Sequence, residues 1–182
     1  METAISILQR LHQHRGWANQ NLLEAAAGLT EEQLWREFPI GQGSVWKSLL
    51  HMFAAEYVWL ESLLGNEDPL LQGDLPGKFP GNQLGEGKIA TLEELRKKWV
   101  EQQARWTRYL EALQPEALND MVVKIIMSTR QRMATKRSDI LLHVCTHAHY
   151  TAAQVVNMLR QLGVQTLPET MVISLARREL AG

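Results

Sequence analysis

The chain has 182 residues, with 19 Lys and Arg against 20 Asp and Glu, and an isoelectric point near 6.6. A domain of this length buries roughly two-thirds or more of its unfolded surface, so neither a disulfide nor a metal is needed merely to fold. The balanced charge leaves no surplus of cations to neutralise phosphates, so nucleic acid and an anionic membrane surface are not expected as partners. The single cysteine, Cys145, cannot form an internal disulfide. It reads as a small hydrophobe packed on a helix, and its solitude points to a reducing cytoplasm. The stretch Met1 to His14 alternates apolar with polar residues and lacks the apolar run of a signal peptide, and no segment of about twenty apolar residues offers a membrane span.

Four long stretches carry helical periodicity. The first runs from Thr3 to Ala27, with Leu8, Leu11, Trp17, Leu22 and Ala25 at helical spacings, and Gly28 stops it. Leu29 to Gln42 reads as a loop. Ser44 caps a second helix through Leu64, with Leu50, Phe53, Ala54, Tyr57 and Val58 as its apolar face and His51 in its second turn. Asn66 to Lys88 is rich in Gly and Pro and reads as a long crossover loop.

Thr91 and Glu94 form a capping-box pattern that opens a third helix, whose stripe is Leu95, Trp99, Trp106, Tyr109 and Leu113 before Pro115. Met121 to Met127 and Arg132 to Thr135 suggest a short hairpin. Ser138 and Asp139 start a fourth helix that ends at Gly163, and a short amphipathic helix follows Pro168. No repeat, low-complexity tract or linker separates a second domain, so residues 1–182 read as one all-α unit, a helical bundle. Trp17, Trp46, Trp59, Trp99 and Trp106 occupy amphipathic helix positions, which favours core or dimer packing over an aromatic ligand cage.

His143 and His147 lie roughly 40° apart on one helix, so both are expected to face the interior, in a stripe continued by Tyr150, Thr151, Gln154 and Met158. Such a pair can chelate a divalent transition metal, and His51 from a facing helix would be the third ligand. The plainer alternative is a set of core histidines bonded to carbonyls or hydroxyls. His12, His14 and His149 are expected to be solvated. Glu56, Gln154 and Tyr150 are expected as a solvated helix face, a buried amide and a core aromatic. Val144 stands where a metalloprotease H-E-x-x-H helix carries its general base, so peptide hydrolysis by that route is not expected.

The string from His14 to Leu23, His-Arg-Gly-Trp-Ala-Asn-Gln-Asn-Leu-Leu, with Gly43-Ser44-Val45-Trp46, Leu50-His51 and Glu56-Tyr57-Val58-Trp59-Leu60, resembles the DinB/YfiT-like family. Leu142 to Tyr150 and Gln154 through Gly163 resemble its fourth-helix segment, so the resemblance covers nearly the whole chain. It implies a four-helix bundle, here with a long crossover loop and a short additional C-terminal helix, and a homodimer. It also implies one divalent metal, zinc or nickel, held by three histidines and water, in some members serving thiol-dependent transferases or isomerases. By that pattern His51 and His147 are ligands, and the third histidine falls four residues after His147. Thr151 stands there, and the family's His-Arg-Gly-Gln becomes Thr151-Ala152-Ala153-Gln154.

A neutral threonine hydroxyl is a poor zinc ligand. His143 lies eight residues before Thr151, about 12 Å along the helix, so it cannot fill the same coordination position. It is a weaker metal candidate than His51 and His147. The metal is therefore expected at low occupancy or absent. Two functions stay open: a DinB-like metal-dependent enzyme of the thiol S-transferase, isomerase or hydrolase type, with a small-molecule thiol as co-substrate and an incomplete triad, and a metal-free binding or dimerisation module.

Overall fold

The computed structural model describes residues 3–181. Its elements are α1 (Ala4–Ala27), α2 (Glu31–Trp35), α3 (Val45–Leu63), α4 (Leu92–Ala112), a 3₁₀ turn (Pro115–Asn119), β1 (Met121–Ile125), β2 (Arg132–Lys136), α5 (Arg137–Gln161) and α6 (Val172–Ala181). The four expected long helices, the hairpin and the C-terminal helix are all present, and no helix among the described residues is long and apolar enough to cross a membrane.

Local chemistry explains the boundaries. Thr3 and Ser6 form a reciprocal capping box at α1, and the Ser44 hydroxyl accepts the Lys47 N–H at 3.1 Å to open α3. At α4, Thr91 caps the Glu94 N–H, but the Glu94 carboxylate takes the Ala90 N–H at 3.1 Å. The segment expected as loop after α1 contains α2, a five-residue helix opened by a second capping box between Thr30 and Gln33. That signature is legible in the sequence, although α2 is too short for an apolar period to mark it.

Two compact units divide the chain, one made of the residues up to Leu49 and from Cys145 onward, the other of Leu50–Val144. In the first, Leu22, Ala26, Val45, Leu49, Val155, Met158 and Leu159 form the core, and Cys145 is buried as expected of a small hydrophobe. Its C-terminal segment docks on α1. There Arg10 clasps Glu179 with two bonds of 2.8 and 2.7 Å, and Asn21 donates to the Glu169 carbonyl at 2.8 Å.

In the second unit Met52, Leu60, Leu95, Trp106, Ile140 and Leu141 are buried, and Phe53 packs edge-on against Trp99 with ring centroids 5.7 Å apart. The hairpin pairs antiparallel from Met121↔Lys136 to Ile125↔Arg132. Of the six tryptophans, Trp46, Trp99 and Trp106 are core residues, while Trp35 is exposed and packs tilted against Trp46 with ring centroids 5.9 Å apart. Half the set therefore serves packing, which is the expected use.

The Gly- and Pro-rich crossover has no regular secondary structure, yet it is a built element. The buried Asp74 carboxylate accepts the Gly81 N–H at 2.7 Å, the Gln83 N–H at 2.9 Å and the Gln83 side-chain amide at 2.7 Å. Gln83 in turn accepts the Ile89 N–H at 2.7 Å. A carboxylate collecting backbone donors gives charge-assisted bonds, which hold this loop without a helix or sheet ladder.

Candidate functional site

The second unit positions His51. A carbonyl can only accept, so the 2.9 Å contact between His51 Nδ1 and the Pro80 oxygen places the imidazole proton on Nδ1. In the neutral ring this puts the lone pair on Nε2, and histidine ligands of metals are oriented in the same way, by their other nitrogen. The loop reaches this spot because residue 81 is glycine. A Cβ there would lie 2.6 Å from the Leu50 carbonyl oxygen and 2.7 Å from the His51 backbone, and its φ of 84° favours glycine in any case.

His143 does not face the interior as expected. It is exposed, and its ring packs edge-on against Trp59 with centroids 5.3 Å apart. The buried stripe of α5 runs instead through Leu141, Val144, Cys145, Ala148, Thr151, Ala152, Val155, Met158 and Leu159, and His143 lies outside it. The partial loss of solvent against this surface lowers its pKa. Trp59 also lies 5.7 Å from the Lys124 ammonium, which is buried without a hydrogen-bond partner among the described residues and has its pKa lowered by burial above all. Tyr150, expected in the core, is also exposed.

Glu56, expected on a solvated face, is only 2 % exposed. Its carboxylate accepts the Trp99 indole N–H at 3.3 Å, and its carbonyl accepts the Gln102 amide at 3.3 Å. The apolar neighbours Phe53 and Trp99 make this carboxylate a hydrogen-bonded core group.

In the first unit, His147 is half-buried and Thr151, one turn further along α5, is buried. The two lie on one helical face by their four-residue spacing. Gln154 is half-buried, and its amide oxygen occupies space that a Cβ at Gly41 would enter at 2.1 Å. The φ of 52° at position 41 favours glycine, and its missing Cβ leaves room for this flexible amide.

His12 and His14, expected in solvent, are both buried, whereas His149 is exposed as expected. His12, Arg15 and Asn19 form a buried polar row on α1, spaced by three and four residues. Arg15 donates to His12 Nδ1 at 3.0 Å. An amphipathic reading of α1 misses this row, because its polar residues share the interior face with Leu8 and Leu22. His14 Nε2 donates to the Thr170 carbonyl at 2.8 Å, which covers the ring with the C-terminal segment.

Burial lowers the His14 pKa, with smaller contributions from His149 and Arg10, against the raising effect of the Thr170 bond. The unfolded imidazole therefore binds a proton more readily than the folded one. Its contribution to stability is complete above about pH 6.5 and is lost as the pH falls through that value toward the lower folded one. In urea unfolding, His14→Gln is expected to reduce the loss of stability between about pH 7.5 and 5.5. An unchanged loss would show that His14 does not carry this sensitivity.

Among the described residues no group of three or more His, Cys, Asp or Glu side chains comes together in an arrangement that could hold a metal ion. The resemblance implies an imidazole one turn beyond His147, and the buried hydroxyl of Thr151 that stands there is not among the imidazole, thiolate and carboxylate donors of which zinc sites are built. The donors that α5 presents at these two positions, His147 and Thr151, therefore do not supply the two imidazoles that the resemblance implies for that helix.

Comparison with known proteins accords with the helical fold. Protein DinB of Bacillus subtilis (strain 168) is 26% identical over 162 residues, which cover 87% of this chain and 88% of that protein. The fold is shared with YfiT from Bacillus subtilis, described as a probable metal-dependent hydrolase with an unusual four-helix bundle topology. That match has a TM-score of 0.60 at 18% identity and covers 86% of this chain and 87% of YfiT. A DinB-like protein of the same organism, YjoA, matches with a TM-score of 0.58 at 13% identity, over 91% of this chain and 97% of its own. The DinB superfamily model matches residues 15–155, a span that includes α3, α4, all the candidate histidines of α5 and Thr151, and the chain therefore belongs to the DinB superfamily.

Proposed function

We infer that this DinB-superfamily protein acts as a metal-independent binding module, in which histidines supply hydrogen bonds rather than holding a resident ion. The observation that carries this reading lies on α5: a buried threonine, Thr151, stands one turn beyond His147 where the resemblance implies a second imidazole. Zinc sites that persist at neutral pH recruit three or four imidazole, thiolate or carboxylate donors. The same reading takes the protein as a cytoplasmic homodimer.

A second reading has one specific observation in its favour. The hydrogen bond from His51 Nδ1 to the Pro80 carbonyl is the outer-shell contact that orients metal-ligating histidines. It supports a metal-dependent hydrolase of the kind YfiT is described as, or a thiol S-transferase or isomerase, with His51 and His147 on one zinc or nickel ion and His143 as a weaker candidate.

Elemental analysis of tag-free protein, followed by thermal melts with added zinc or nickel, separates the two. The expected result is substoichiometric metal and no ion-dependent rise in Tm. Stoichiometric metal that disappears in both His51→Ala and His147→Gln would overturn the metal-independent reading and establish the second.

A further inference from the structure

The second unit carries a surface cavity of about 500 Å³ between the end of α3, the C-terminal half of α4 and the start of α5. None of the candidate histidines lines it, so its ligand is independent of the metal question. Its size falls within the roughly 300–1,000 Å³ of small-molecule sites. Leu64 and Leu113 supply apolar wall, and three guanidinium groups, those of Arg105, Arg108 and Arg137, line the same space.

These arginines differ in what they already hold. Arg105 is paired with Glu61 and donates to Gln102 at 3.2 Å. Arg137 is fixed by the Ala117 carbonyl at 3.0 Å, the Leu63 carbonyl at 3.3 Å and the Tyr109 hydroxyl at 2.5 Å, with Asp120 at 3.4 Å. Arg108 is exposed and, among the described residues, has no hydrogen-bond or ion-pair partner. Arg105 and Arg137 thus each have a carboxylate partner, and Arg108 is the guanidinium of the cavity without one among the described residues.

Tyr109 adds a donor. Its oxygen accepts from Arg137, so its own O–H is available to donate, and burial, the largest influence on this phenol, raises its pKa and keeps that proton in place. The cavity thus presents a phenol O–H and an uncommitted guanidinium beside an apolar wall. A dianion would meet only one uncommitted guanidinium, and a purely polar anion would leave Leu64 and Leu113 unused.

We propose that this cavity binds a small organic monocarboxylate, with its head group on Arg108 and Tyr109 and its apolar body against Leu64 and Leu113. Anchored Arg137 positions the phenol, and Arg108 closes on the carboxylate with charge-assisted bonds. Isothermal titration of the full chain with sodium octanoate is the direct test. Saturable one-to-one binding is expected, weaker by about tenfold or more for octanamide, which has the same body without the charge.

Arg108→Glu, at an exposed position, is expected to weaken octanoate binding by about tenfold or more with an unchanged far-ultraviolet circular dichroism spectrum. Ala112→Trp, which fills the cavity from exposed helix surface, is expected to abolish it. Absence of saturable binding up to low millimolar octanoate would overturn the proposal. Equal binding of octanoate and octanamide would do so too, as would binding unaffected by both substitutions.

Discussion

Gly81→Val is expected to destabilise the protein by about 3 kcal/mol or more, the largest stability effect anticipated for a residue outside the core. Any Cβ at position 81 would meet backbone atoms of Leu50 and His51 at 2.6 and 2.7 Å, and a helix backbone cannot step aside as a flexible side chain can. A left-handed backbone conformation costs a non-glycine residue about 1–2 kcal/mol, and overpacking against a rigid neighbour adds about 1–3 kcal/mol.

The strain also has a functional consequence. To relieve it, the loop must lift from α3, which takes the Pro80 carbonyl away from His51 Nδ1. Loss of that bond removes about a further 1 kcal/mol and takes away the contact that fixes the Nδ1 side of the ring. For a chain of this size the sum, about 4 kcal/mol, corresponds to a fall in Tm of roughly 8–16 °C. Thermal melts check the stability, and the His51 imidazole signals in a two-dimensional NMR spectrum check its orientation. A melt within about 2 °C of the parent would show that the loop is not pressed against the helix in solution.

Thr151→His is expected to have the largest effect on metal affinity. It places a second imidazole one turn beyond His147 on the same face of α5, and an i, i+4 pair on a rigid helix can chelate zinc or nickel. The site is buried, so the larger ring costs about 1–3 kcal/mol through overpacking when no metal is present. Binding to the native state offsets this loss, contributing about 2.7 kcal/mol when free metal is a hundredfold above the dissociation constant. The expected pattern is a variant that melts below the parent in chelator and rises with added zinc, while the parent does not respond. A parent that responds as strongly as the variant would contradict the reading that Thr151 disables the site.

Both expectations depend on relations of different range. The spacing of His147 and Thr151 is local, and helix geometry converts it directly into a shared face. Ser44, Thr91 and Gly28 mark helix ends for the same reason, because caps involve residues within one turn. Even α2, read as loop, announced itself in Thr30 and Gln33.

Burial of individual polar groups was less legible. His143 and His147 are only about 40° apart around α5, yet one is exposed and the other half-buried, because the edge of a buried stripe depends on neighbouring side chains and not on the period alone. Glu56 reads as solvated until Trp99, 43 residues later, donates its indole N–H. His14 reads as a surface residue until the chain 156 residues later returns to cover it.

By itself, then, the amino-acid sequence determined the four long helices and the C-terminal one, their caps, the hairpin, the resemblance that placed the chain in its family, and the threonine where that resemblance implies a third histidine. Each of these is a local pattern or the identity of one residue. Only the tertiary structure decided which imidazoles are covered, which nitrogen of His51 carries the proton, and that three arginines share one cavity. Those features arise from contacts between segments far apart in the chain, and no local propensity encodes them.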